Sequence, residues 1–214
     1  MASSSSSNLL ALILLFQPCF LFLSPASAAG RFSLPRKPDP SNAHATARWL
    51  ASQNSWGVLS TISSDLGGSP FGNVVSYSDG VPGDGRGVPY FYLTQLDPTA
   101  RDALKDERAS FTISEYPLGT CKKIDPENPT CAKLTLSGKL KLVETNSSEA
   151  KFALSALFAK HAEMKTWPKN HKFQIFKLDI ENLFLIDWFG GAKPLSPAQY
   201  LNPGMDLPPL ISRA

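Results

Sequence analysis

The chain has 214 residues, with 21 Lys and Arg against 18 Asp and Glu and a formal net charge of +3. So weak a positive balance, without any long basic run, excludes a nucleic-acid binder that works through a basic stripe. The length suits one domain with a sizeable core, and no apolar stretch reaches the roughly 20 residues that span a bilayer as a helix.

Residues 1–28 read as a secretory signal peptide: Ser3 to Ser7, the apolar run Leu9 to Leu23, then the small residues Ala26-Ser27-Ala28, with cleavage expected after Ala28. A membrane anchor would need a longer run than one broken by Gln17-Pro18. A plastid transit peptide is the remaining rival; such segments are Arg-rich and amphipathic, whereas the first basic residue here is Arg31. The expected address is the secretory pathway, ending outside the cell or in a lysosome or vacuole.

Residues 29–41, with Pro35, Pro38 and Pro40, form an extended lead-in. The spacing then predicts a helix capped by Ser41 or Asn42, with Ala43, Ala47 and Leu50 on its apolar face and its end at Asn54-Ser55. From Trp56 the pattern becomes β. Strands are expected at Trp56 to Ile62 and, after the Gly67 to Pro70 turn, at Val74 to Tyr77. Asp79 to Gly87 reads as a flexible hairpin loop. Its Gly83-Asp84-Gly85-Arg86-Gly87 run joins two strands, whereas a phosphate cradle needs its glycines between a strand and a helix N-terminus.

A strand at Pro89 to Thr94, a short helix at Pro98 to Lys105 and a strand at Ala109 to Ser114 follow. Cys19 leaves with the leader, so Cys121 and Cys131 are the only thiols of the mature chain. In an oxidising compartment the pair reads as a disulfide; the C-x-x-C spacing of a redox pair is absent. Ala132 to Thr145 alternates as a long half-buried strand, and Ser148 to His161 has helical spacing with Ser148 as its cap. Between them Asn146-Ser147-Ser148 is the one usable glycosylation sequon, on an expected exposed turn. Two more strands, Phe173 to Asp179 and Leu183 to Trp188, are expected across a turn at Glu181-Asn182. Residues 203–214 read as a Pro-rich tail. Strands in succession with single inserted helices predict a mainly β (α+β) protein, an antiparallel barrel with peripheral helices over 42–202.

No reaction centre stands out. His44, His161 and His171 lie in no metal-ligand motif, no G-x-S-x-G elbow is present, and Asp65, Asp79 and Asp84 read as turn residues. No catalytic residue and no metal site are expected.

The strings Trp56-Gly57-Val58-Leu59-Ser60-Thr61, Gly87 to Leu93, Glu163-Met164-Lys165-Thr166-Trp167-Pro168 and Asp187-Trp188-Phe189-Gly190-Gly191 occur in an order that closely resembles the CREG family, secreted glycoproteins named as cellular repressors of adenovirus-early-gene-stimulated transcription. The resemblance runs from about Ala43 to Tyr200 and implies the split β-barrel of the FMN-binding pyridoxamine-phosphate-oxidase superfamily. It also implies a homodimer with its pocket at the subunit interface, a non-enzymatic role in growth and differentiation, and, in animals, a glycan-dependent sorting receptor.

Flavin enzymes of that superfamily hold the cofactor phosphate with charged groups. The matching positions here, near Asn73 and Ser78 and near Pro98-Thr99-Ala100, are uncharged. A vestigial flavin pocket is therefore drawn from Ser60, Thr61, Ser76, Thr94, Arg101 and Lys105, leaving room for weak FMN binding although no cofactor is expected. A flavin-dependent oxidoreductase is the alternative reading. Expected partners are a second copy of the chain and a cell-surface or sorting receptor, with no nucleic acid and no membrane insertion after cleavage.

Overall fold

A computed structural model describes residues 35–202. The leader, the start of the lead-in and the 203–214 tail lie outside the described residues. Along Trp56–Ile62 (β1) the side chains alternate, with Gly57, Leu59 and Thr61 turned inward. Pro70–Val81 (β2), Asp84–Leu93 (β3), Arg108–Ser114 (β4), Lys133–Leu142 (β5) and Gln174–Ile186 (β6) follow, with runs buried on both faces at Tyr77 to Gly80 of β2 and Pro89 to Phe91 of β3. All pairings are antiparallel, and the strands close in the order β1-β2-β3-β6-β5-β4. Closure pairs every strand on both sides over part of its length, which leaves little free sheet edge. The interior is filled by Leu59, Tyr77, Phe91, Phe111, Leu134, Leu136, Leu140, Phe176 and Leu178, with Tyr77 and Phe91 both edge-on to Phe111 at 4.7 and 5.1 Å.

Among the described residues, four α-helices flank the barrel. Ala43–Gln53 (α1) is capped by Asn42, whose Oδ1 accepts from the Ala45 N–H at 3.1 Å. Pro98–Lys105 (α2) is capped by Asp97, and Ser148–Lys160 (α3) by Ser147 rather than the expected Ser148. Pro197–Leu201 (α4) closes the described chain with a capping box between Ser196 and Gln199. α3 and the 3₁₀ turn Ala162–Thr166 cover one sector of the outer wall, where Tyr90, Val143, Ala153, Leu157 and Met164 make a second apolar layer.

Two expectations for the strands are corrected. The glycine-rich 79–87 segment is not a flexible loop: β2 runs on to Val81 and β3 begins at Asp84, with an irregular register between Ser78 and Gly80. Gly85 is there for a close approach, since a Cβ on it would lie 2.5 Å from Asp79 Oδ2. Nor does a turn at Glu181-Asn182 divide two strands. β6 is continuous and carries a bulge, with Ser137 opposite Asn182 and Gly138 opposite Ile180, so that Glu181 is the extra residue. A Cβ on Gly138 would sit 1.9 Å from the Asp179 carbonyl oxygen, so the bulge requires glycine.

Asp79 is likewise no turn residue but is buried beside Lys160, its Oδ1 3.8 Å from the ammonium. Lys160 also donates to the Asn54 carbonyl at 2.7 Å and lies 4.9 Å from the Tyr77 ring centroid. Tyr77 donates its hydroxyl to the Ala51 carbonyl at 2.6 Å, and its own carbonyl meets His161 Nε2 at 2.9 Å. Tyr200 donates to the Gly87 carbonyl at 2.8 Å, so the end of α4 is stitched to β3.

Burial pushes the hydroxyls of Tyr77, Tyr200 and Tyr90 above the ordinary phenol range. These groups therefore contribute stability that is complete below about pH 10, where unfolded tyrosine ionises, and is lost as pH rises beyond it toward the folded values. Urea midpoints are expected to fall above about pH 10, with the phenolate absorbance of these three tyrosines appearing only on unfolding; their ionisation near 10 in the folded protein would contradict this. Gly138→Ala is expected to cost about 3 kcal/mol in urea unfolding, and an unchanged midpoint would show that the bulge yields.

Candidate functional site

The β2–β3 ladder ends at Tyr77↔Phe91. Beyond it, Val74 to Ser76 pair with β1 and Tyr92 and Leu93 pair with β6, so the two strands part and split the wall. A cavity of about 440 Å³ occupies the split, within the size range of small-molecule sites. Val74 and Ser76 line it from β2, and Tyr92, Leu93 and Thr94 from the end of β3. The segment carrying Met164, Trp167, Pro168 and Phe173 covers it, and Asp97 lies at its polar end. Tyr92 and Phe173 stack at 4.9 Å, and Trp167 lies 4.9 Å from Phe173 and 6.1 Å from Tyr92. A second cavity, of about 270 Å³, shares Tyr92 and Phe173 and reaches Asn146 and Lys151 on the α3 side.

The polar end is built by local sequence. Asp97-Pro98 is a helix start, with the carboxylate as cap and proline in the first turn. Asp97 Oδ1 accepts from the Thr99 N–H at 2.8 Å, and Asn73 Nδ2 donates to both Asp97 oxygens at 3.1 and 2.9 Å and to Thr99 Oγ1 at 2.9 Å. At two of the positions that the resemblance matches to phosphate-holding groups, Asn73 and Thr99, the side chains thus bond to each other, and Asn73 also to the Asp97 carboxylate, while Ser78 Oγ donates to the Gly80 carbonyl. This donor set does not fit a dianionic flavin phosphate, which needs cationic or free N–H donors.

Of the six residues expected to form a flavin pocket, the structure brings only Ser76 and Thr94 to this cavity. Thr94 Oγ1 is engaged with the His171 carbonyl. Ser60 lies on the outer face of β1 opposite Gly72 and Ser110, whereas Thr61 turns inward and donates to Asp102 Oδ2 at 3.0 Å. Arg101 does not reach the cavity. It pairs with Asp65 at 2.9 Å, holding that carboxyl below its usual range, and donates to the Gln95 and Leu96 carbonyls. Lys105 donates to Ser64 Oγ at 3.1 Å.

Sequence reasoning missed Tyr92, Phe173 and Trp167 as cavity walls. It also missed Asp97, although the Asp-Pro helix start was visible. Cys121 and Cys131 are bonded. Beside them the buried Glu115 accepts from Lys37, Thr120 and the Ala132 N–H, tying the lead-in to the disulfide loop. Asn146 is exposed on the turn before α3, in a left-handed conformation with φ 73°.

Outside the sector covered by α3, a row of directly opposed outward residues crosses four strands and part of β2: Val74, Val58, Thr112, Thr135 and Phe184. The two threonine hydroxyls are 2.9 Å apart, while Val74 is 66% and Phe184 49% exposed. The motif Trp188-Phe189-Gly190-Gly191 forms an exposed loop. Asp187, fully buried, anchors it by an ion pair 2.7 Å from Lys193.

The profile of the family described as "CREG, beta-barrel" matches residues 38–202. Protein CREG1 of Gallus gallus is 40% identical over 189 residues, covering 86% of this chain and 96% of that protein. Protein CREG1 of Homo sapiens is 37% identical, covering 94% and 97%, and Protein CREG2 of Homo sapiens is 36% identical, covering 82% and 64%. Among solved structures, a heme binding protein from Mycobacterium smegmatis superimposes with a TM-score of 0.61 at 20% identity, over 77% of this chain and 61% of that one. The protein Atu2129 of Agrobacterium tumefaciens, of unknown function, gives 0.60 at 20% identity, over 76% and 62%. The two structures share the fold at identities that carry no ligand with them. With the profile spanning the barrel from lead-in to α4, and with both CREG1 relatives matched over nearly their whole length, this chain belongs to the CREG family.

Proposed function

We propose that the protein is a secreted or endolysosomal/vacuolar glycoprotein of CREG type that catalyses no reaction and acts through protein contacts in growth and differentiation control. The observation that carries this reading is the polar end of the split cavity. Asp97 lines the cavity and is held by Asn73 and the Thr99 N–H behind it, and the one charge among the three is negative. A flavin oxidoreductase needs the opposite charge at that place. The role in growth control comes with the family resemblance, and the route through the secretory pathway with the leader.

A homodimer is part of the proposal, supported by the outward row Val74, Val58, Thr112, Thr135 and Phe184. Val74, Val58 and Phe184 leave large apolar side chains exposed along this row, exposed apolar surface of this kind marks a contact site, and a two-fold dimer pairs such a patch with itself. Sedimentation at micromolar concentration is expected to give a dimer, and the double change Val74→Lys with Phe184→Lys a folded monomer. A wild-type monomer, or a variant that stays dimeric, would remove this face from the interface.

Expression of the full chain in a secretory host tests the route. The medium is expected to contain protein beginning near Ala29, with one glycosidase-sensitive modification that Asn146→Gln and Ser148→Ala each abolish while Ser147 still caps α3. Recovery of an unmodified chain from plastids would end the secreted reading.

A further inference from the structure

The split cavity has an unusual pairing of walls and charge. One side is aromatic: the rings of Tyr92, Phe173 and Trp167 lie within 4.9 to 6.1 Å of one another. The other end holds the Asp97 carboxylate. Among the described residues no lysine, arginine or histidine pairs with Asp97. Its hydrogen bonds come from one backbone N–H and one side-chain amide, both neutral. A carboxylate has about four acceptor sites, of which three are used. Lys165, Lys169 and Lys172, on the covering segment, are exposed and do not line the cavity.

The geometry points to a small organic cation as the ligand of this cavity: a protonated or quaternary amine on an apolar body of about the size of a phenylethyl group. Aromatic rings attract positive charge through their quadrupoles, and the apolar wall accepts the apolar body. Asp97 supplies the counter-charge, and Ser76 offers a hydroxyl at the mouth. An anion entering the same space meets Asp97 with no cation to offset it. The charge preference of the cavity is therefore the reverse of what a phosphate-bearing cofactor needs.

The test uses three probes of matched shape, 2-phenylethylammonium, 2-phenylethanol and phenylacetate, together with FMN. They are titrated into the full mature protein by calorimetry and by tryptophan fluorescence. Expected affinities fall in the order ammonium, alcohol, carboxylate, with about tenfold or more between the first and last, and FMN does not saturate. Asp97→Asn keeps a side chain that caps α2, so the melting temperature should hold while the ammonium preference collapses to within about twofold. Trp167→Leu should weaken all three probes together. The proposal is overturned by FMN or phenylacetate binding as tightly as the ammonium, by ammonium binding that Asp97→Asn leaves unchanged, or by no saturable binding of the ammonium at millimolar concentration.

Discussion

Tyr77 is the residue through which the parts of this structure are joined. Its ring packs edge-on to Phe111 in the middle of the barrel, and its pairing with Phe91 is the last rung before β2 and β3 separate. Its hydroxyl ends on the carbonyl of Ala51 in α1, its N–H on Ser55, and its carbonyl on His161 after α3. Lys160 lies over its face. A buried phenol must donate, or it leaves a polar group unsatisfied at a cost of roughly 1–3 kcal/mol. The place it donates to fixes α1 against the end of the barrel. The split begins one rung further on, so its position is set by the same side chain.

The outer wall divides into two kinds of surface. Under α3 the wall is apolar and sealed, with Tyr90, Leu157 and Met164 buried. Across β1, β4, β5 and the end of β6 it is uncovered, small and partly apolar. The split cavity lies beside the covered sector and shares Met164 with its apolar layer. A ligand there would be enclosed by the segment after α3, whereas a partner chain would meet the open face.

Much of this was legible from residue order. β1 and α2 fall where apolar alternation and the Pro98 start place them, and the disulfide joins the only two cysteines of the expected mature chain. The glycine cluster at 83–87 reads as loop, yet Gly85 serves a strand that approaches Asp79 too closely for a Cβ, and the bulge that replaces the expected turn at Glu181-Asn182 rests on Gly138 against the Asp179 carbonyl; both are tertiary facts with no local signature. Asp79 failed for a related reason: a short acid between glycines has turn chemistry by itself, and only the return of α3 brings Lys160 against it. α4 was overlooked although Ser196-Pro197 and Gln199 spell its capping box. Among the cavity residues Thr94 and Ser76 were found because they are polar on known strands. The aromatic walls were not, since Tyr92, Trp167 and Phe173 look like any core aromatics until the strands are seen to part.

Residue 97 answers to two masters, the first turn of α2 and the polar end of the cavity. Helix capping admits a short alphabet at such a position, in essence Asp, Asn, Ser and Thr, and leaving it costs about 1 kcal/mol. Only one letter of that alphabet is charged, and its charge is negative. Drift at this site can make the cavity acidic or neutral, but it cannot make it basic while α2 keeps its cap. A lineage built on this barrel would have to recruit a cation from another position before the split could hold a phosphate.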